Sequence, residues 1–239
     1  MEKTFLTAEW RKLIIANYEV PAKVLEKYLP LHTELDAWND RYYVSLVGFM
    51  FVNTKVKGLP IPFHINFEEV NLRFYVKNKD YQKELRRGVV FIKEIVPKPA
   101  VTFIANNLYR ENYKTLRMRN KWHQEKELLS VEYHWKYGRW HSMKAIADFK
   151  PEDIQTGSEE EFITEHYWGY TKRSEHHTSE YKVVHPRWQV YKINSYNIDV
   201  DFGKLYGDDF EFLNNTAPKS VFLAEGSEVA VKKGYKTVL

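Results

Sequence analysis

Apolar and polar residues alternate along Phe67–Val76, so Val70, Leu72, Phe74 and Val76 share one face of a predicted strand and Glu69, Asn71, Arg73 and Tyr75 share the other. The run Leu13-Ile14-Ile15-Ala16 predicts a strand over Trp10–Tyr18. Pro21 suits the first turn of a helix with apolar positions at Val24, Leu25 and Tyr28, and Pro30 stops it. Tyr42–Val52 is a long apolar strand, Gly58–Pro62 a loop, and Gly88–Val96 another strand. In Pro97–Asn107 the spacing of Ala100, Val101, Ile104 and Ala105, continued at Leu108, is helical. Strands follow near Lys114–Lys121, Leu128–Tyr137 and Arg139–Phe149. The acidic, turn-rich stretch Lys150–Glu161 is the one candidate internal boundary. Short strands resume at His166–Lys172, Tyr181–Val184, Trp188–Tyr196, Ser220–Ala224 and Glu228–Lys232. No repeat appears. The pattern predicts one mainly β domain over residues 1–239, mostly antiparallel with two or three helices, rather than βαβ units.

Composition supports sheet: aromatic residues make up 16% of the chain, and rings pack well on a pleated, half-buried surface. Cysteine is absent, which excludes disulfides, thiolate catalysis and iron–sulfur ligation. The formal charge of +4 is mild and dispersed, so a nucleic acid is not favoured. No run approaches the ~18 apolar residues of a membrane span, and no charged-then-apolar leader is read at Met1–Phe5. A cytoplasmic protein is expected.

The row Glu69, Asn71, Arg73, Tyr75 is the leading candidate for a site, because a carboxylate, an amide, a guanidinium and a phenol in line can bind and polarise a small polar molecule. The competing reading is a solvated sheet face. A two-residue turn at Tyr137-Gly138 would oppose His134 to His141, with Glu132 nearby. Two imidazoles beside a tryptophan pair explain this as well as a metal does, and no HExxH spacing supports a metal. His176-His177 reads as an ordinary polar loop. His185-Pro186-Arg187-Trp188 reads as a rigid corner whose histidine is able to reach a pocket. GxSxG, P-loop and GxGxxG patterns are missing, so acyl transfer, nucleotide hydrolysis and dinucleotide binding lack their usual mechanics. The basic stretch Lys114–Lys121 offers an alternative, an interaction module for nucleic acid or protein.

Taken in order, Phe67–Val76, Gly88-Val89-Val90-Phe91, Phe162-Ile163-Thr164-Glu165-His166-Tyr167 and His185-Pro186-Arg187-Trp188 resemble the YqjF-like family, uncharacterised bacterial proteins that are distantly similar to acetoacetate decarboxylase. The likeness runs from about Trp10 to the C-terminus. It implies a closed, cone-like antiparallel β-barrel with a few short helices around an internal pocket; an α+β arrangement is the alternative. The resemblance puts Arg11 at an active-site arginine and Glu69 at an active-site glutamate, with Glu68 one residue away. The decarboxylase has a Tyr-Pro-Lys-Lys run whose first lysine forms a Schiff base. The counterpart here is Leu108-Tyr109-Arg110-Glu111-Asn112-Tyr113-Lys114, with Tyr113 at the Schiff-base position and Lys114 beside it. A Schiff base needs a neutral amine near pH 7, and the second lysine that would depress its pKa is missing.

The leading expectation is therefore a barrel that binds a small carboxylate or carbonyl compound without a cofactor or metal. Arg11 and Arg73 would hold the anion, Glu69 would act as acceptor or general base, and Asn71, Tyr113 and His185 would orient the ligand. If the chain is an enzyme, the resemblance implies a decarboxylase-like lyase acting through Lys114. Homo-oligomerisation is compatible with this reading, and a membrane partner is not expected.

Overall fold

The computed structural model describes residues 3–78, 85–109 and 111–238; Arg110, which the family comparison included, lies outside them. Strands dominate: β1 Thr4–Glu19, β2 Thr33–Leu35, β3 Tyr43–Val56, β4 Leu59–Pro60, β5 Phe67–Asn78, β6 Arg87–Val96, β7 Tyr113–Thr115, β8 Arg117–Glu125, β9 Leu128–Tyr137 and β10 Arg139–Asp153. They continue as β11 Trp168–Ser174, β12 His177–Val184, β13 Gln189–Asp199, β14 Ser220–Lys232 and β15 Tyr235–Val238. The helices are short: α1 Ala22–Glu26, α2 Pro99–Ile104, α3 Glu159–Thr164 and α4 Phe202–Tyr206.

The sheet curls into a ring. Its order is β14-β1-β3-β5-β6-β11-β12, and β12 closes onto β14 through Val183 opposite Val231. The sheet is mixed, because β6 pairs in parallel with both β11 and β7. From β14 the same sheet continues through β13, β10, β9 and β8. This extension folds back over the outside of the ring, where the Tyr133 hydroxyl donates to the Lys12 carbonyl at 2.8 Å and Asn120 Nδ2 donates to Glu68 at 2.8 Å.

Two apolar clusters follow from this layering. One lies between the ring and the extension and contains Val70, Leu72, Phe74 and Val76 of β5 together with Val131, Tyr133, Trp135 and Met143. The other lines the ring interior and contains Phe67 and Tyr75 of β5, Leu13 and Ile15 of β1, and Phe49 and Phe51 of β3. The four apolar residues of β5 are entirely buried, each contributing ~2 kcal/mol. A one-residue slip would exchange them for Glu69, Asn71 and Arg73, so this burial fixes the register.

Several expectations about local structure need correction. Tyr137 pairs with Arg139 and His141 with Trp135, so Gly138 alone makes the turn, with φ 69°. This one-residue difference puts His134 and His141 on opposite faces: His141 stacks on Trp135 in the buried cluster, whereas His134 meets Glu132 at 3.2 Å. Lys114–Lys121 is not one strand, since Leu116 separates β7 from β8. Lys150–Glu161 is partly β10 and partly α3, where Ser158 accepts a hydrogen bond from Glu161 N at 3.2 Å. Among the described residues no helix is long and apolar enough to cross a membrane.

Candidate binding and acid–base site

The ring encloses a cavity of about 260 Å³. One part of its wall is aromatic and aliphatic, including Trp10, Phe49, Phe51, Phe67 and Phe91. The polar part begins on β5. With the even-numbered residues committed to the outer core, Glu69, Asn71 and Arg73 point inward and line the cavity. Asn71 Nδ2 donates to Glu69 Oε1 at 2.9 Å, and the Tyr113 hydroxyl donates to Glu69 Oε2 at 3.2 Å. Tyr113 is held by a reciprocal pair: its N–H donates to Asn106 Oδ1 at 2.8 Å, and its carbonyl accepts from Asn106 Nδ2 at 2.9 Å.

Two further carboxyl groups line the same space. Glu94 reaches it because β6 carries an irregularity: Leu72 pairs with Lys93 but Arg73 pairs with Phe91. Val90 and Ile92 lie in the outer core ahead of this bulge, whereas Glu94 faces inward after it. Glu111 precedes β7 and accepts a hydrogen bond from Thr171 Oγ1 at 2.6 Å. Burial pushes the Glu69 carboxyl up to about 7, against hydrogen bonds from Asn71 and Tyr113 that oppose the rise. Burial likewise raises Glu111 to about 7, and burial together with the charges of Glu69 and Glu111 raises Glu94 well above the usual carboxylate range.

Ten buried side-chain polar atoms lack a hydrogen-bond partner among the described residues, and six of them belong to residues lining this cavity. They are Trp10 Nε1, Thr54 Oγ1, Asn71 Oδ1, Arg73 Nε, Glu94 Oε2 and His166 Nδ1. Such atoms are ordinarily rare and scattered, so their concentration in residues around one cavity singles out this part of the barrel.

A family model for DUF2071, described as an uncharacterized conserved protein, matches residues 7–228. The chain belongs to this family. The uncharacterized protein YqjF of Bacillus subtilis (strain 168) is 35% identical over 71 residues, which are 29% of each chain. The match thus spans under a third of that relative's length. Among solved structures, acetoacetate decarboxylase from Legionella pneumophila aligns with a TM-score of 0.65 at 13% identity, covering 98% of this chain and 87% of that one. The enduracididine biosynthesis enzyme MppR complexed with pyruvate aligns at 0.67 and 10% identity, covering 99% and 91%. At these identities the likeness establishes the fold, that of the acetoacetate decarboxylase-like proteins.

In this DUF2071 chain the residues singled out from sequence divide in two. Glu69, Asn71, Arg73 and Tyr113 meet at one cavity; Arg11, Lys114 and His185 are not among its lining residues. Arg11 lies immediately before a bulge in β1, where Lys12 adopts φ 54° and the register against β3 shifts between Arg11 and Ile14. Its guanidinium forks onto Glu9 Oε2 at 2.8 and 2.6 Å. Lys114 alternates with Tyr113 to the opposite face, and its Nζ stands 3.7 Å from the centroid of the Tyr137 ring. His185 is stacked on Trp188 at 4.5 Å and bonded through Nδ1 to the Pro186 carbonyl at 2.9 Å. Glu68, the neighbour of Glu69, faces Asn120 on the other side of the sheet. Among the described residues, Lys232 is the one lysine in the lining, and its Nζ donates to Thr4 Oγ1 at 2.9 Å. Glu94, Glu111 and His166 are among the lining groups that sequence reasoning missed. No group of three or more His, Asp or Glu is arranged to hold a metal among the described residues.

Proposed function

We propose that this protein binds a small organic acid or carbonyl compound inside the barrel, with its carboxylate on Arg73 and its remaining polar groups among Glu69, Asn71 and Tyr113. The observation that carries the reading is the concentration of unpaired buried polar atoms in one cavity wall, Arg73 Nε above all. A guanidinium with so little solvent (Arg73 is 8% exposed), whose buried Nε has no acceptor among the described residues, is costly, and a ligand carboxylate would satisfy it with charge-assisted bonds. The aromatic part of the wall suits an apolar tail. A carboxyl group near pKa 7 at Glu69 can take or give a proton at neutral pH, so acid–base chemistry on the bound molecule is within its reach. The pyruvate complex of MppR supports the same ligand class. A Schiff base through Lys114 has no comparable support, because its ammonium stacks on Tyr137 outside the cavity.

A thermal-shift and calorimetric panel of pyruvate, acetoacetate and 3-phenylpropanoate tests the reading. Arg73→Gln is expected to weaken the best of these roughly 10- to 100-fold, the worth of a hydrogen bond to a charged group. Affinity unchanged in Arg73→Gln would remove the anchor and the reading with it. Borohydride treatment in acetoacetate is expected to leave Lys114 unmodified on peptide mass mapping, and an adduct there would restore the lyase alternative.

A further inference from the structure

His166 enters the cavity wall through a relay that the reading above leaves unused. Arg87 Nε donates to Asp36 Oδ2 at 2.6 Å, and His166 Nε2 meets the same oxygen at 3.2 Å. Asp36 is itself pinned, its N–H donating to the Tyr75 carbonyl at 3.0 Å. Burial alone would raise the Asp36 carboxyl, but hydrogen bonds from His166 and Arg87 outweigh it and hold the group below its ordinary value. An ionised carboxylate only accepts, so the proton in the Asp36–His166 contact belongs to His166 Nε2. Burial pushes His166 down to about 4, which keeps the imidazole neutral near pH 7. Its Nδ1 therefore carries a lone pair, is buried, and has no partner among the described residues.

The ring cannot readily turn away from the cavity. It packs on Tyr75 at 4.7 Å and edge-on to Phe162 at 5.2 Å between centroids. The Arg73 guanidinium carbon lies 5.9 Å from the centroid of the same Tyr75 ring. A cationic side chain and a neutral imidazole thus flank one tyrosine, and both residues line one cavity.

We infer that the Asp36–His166 pair selects a hydroxy acid, whose carboxylate lies on Arg73 and whose hydroxyl donates to His166 Nδ1. The inference rests on the Arg73-anchored binding proposed above and adds the class of ligand. An unsubstituted acid leaves Nδ1 unpaired in a dry wall. A keto acid is worse, because its carbonyl oxygen meets Nδ1 lone pair to lone pair. Sites built to hydrogen-bond a hydroxyl discriminate strongly against analogues that lack it, because the protein group stays buried and unsatisfied.

The test compares 3-phenyllactate and 3-hydroxy-3-phenylpropanoate with 3-phenylpropanoate and phenylpyruvate by calorimetry near neutral pH. The better hydroxy acid is expected to bind at least about 10-fold tighter than either of the others, and His166→Phe is expected to erase that preference. Nitrogen NMR of the wild-type protein gives a reading that needs no variant: an unprotonated Nδ1 of His166 whose resonance moves with the preferred hydroxy acid and not with 3-phenylpropanoate. Equal affinities that still depend on Arg73 would overturn the hydroxy-acid inference and leave the anion site standing. A protonated Nδ1, or a preference for phenylpyruvate, would overturn it as well. No Arg73-dependent binding of any acid would bring down both.

Discussion

Gly226→Ala is expected to cost at least ~3 kcal/mol of stability, far more than the same change at Gly157. Both glycines have positive φ, 78° at Gly226 and 80° at Gly157. Their surroundings differ. A Cβ on Gly157 meets nothing within 4 Å, whereas one on Gly226 would stand 1.9 Å from the Trp10 carbonyl oxygen and 2.8 Å from Leu13 Cδ1. Trp10 belongs to the neighbouring strand, where Arg11 pairs with Gly226, so the obstacle is backbone and cannot swing aside. At Gly157 only the left-handed conformation is penalised, by ~1–2 kcal/mol. Urea denaturation of the two variants checks the difference, and equal losses would show that close strand approach at Gly226 carries no weight. The position matters to the site because β1 bulges opposite it. Ala8 and Trp10 pack with the interior cluster before the bulge, and Leu13 and Ile15 after it.

That bulge also explains what was hard to read from sequence. On a regular strand Arg11 would share a face with Leu13 and Ile15 and so enter the barrel. Lys12, at φ 54°, reverses the alternation, and Arg11 leaves with Glu9 instead. The same device hides Glu94. Simple alternation groups it with Val90 and Ile92, which belong to the outer core, until the irregularity in β6 turns it inward. Where alternation is unbroken, as in β5, the sequence was legible, because four wholly buried apolar residues dictate where the polar ones go. The mainly β, decarboxylase-like architecture was legible for similar reasons, through strand patterning and the family's ordered motifs. Glu111 and His166 lie outside the described strands, and no periodicity singles them out. One overlooked feature did have a signal: Ser158 and Glu161 form the spacing of a capping box, and Glu161 returns to accept from Gly157 N at 2.6 Å.

The carboxyl cluster should make the ligand-free protein less stable as pH rises through neutrality, and Glu69→Gln should remove much of that loss. Below the ordinary carboxylate value of 4.5 Glu69 is protonated whether the chain is folded or not, and it adds no pH dependence. Between 4.5 and about 7 the unfolded chain ionises while the folded one holds its proton. Stability therefore falls with rising pH by ~1.4 kcal/mol per unit, reaching ~3 kcal/mol above the folded pKa. His166 acts in the opposite sense: its depressed pKa of about 4 favours folding above 6.5 and is lost as pH falls. That contribution is common to both proteins and drops out of the comparison. Glutamine keeps an acceptor for Asn71 or Tyr113, and it removes a charge that helps to raise Glu94. Urea unfolding is thus expected to show the variant and wild type nearly equal near pH 4.5 and the variant ahead by up to ~3 kcal/mol near pH 7.5. Parallel pH curves would mean that Glu69 titrates normally. A gain confined to neutral pH would instead show that the barrel keeps a carboxyl its own stability does not require, near an arginine whose Nε finds no acceptor among the described residues. Both then become intelligible as parts of a surface completed by a ligand.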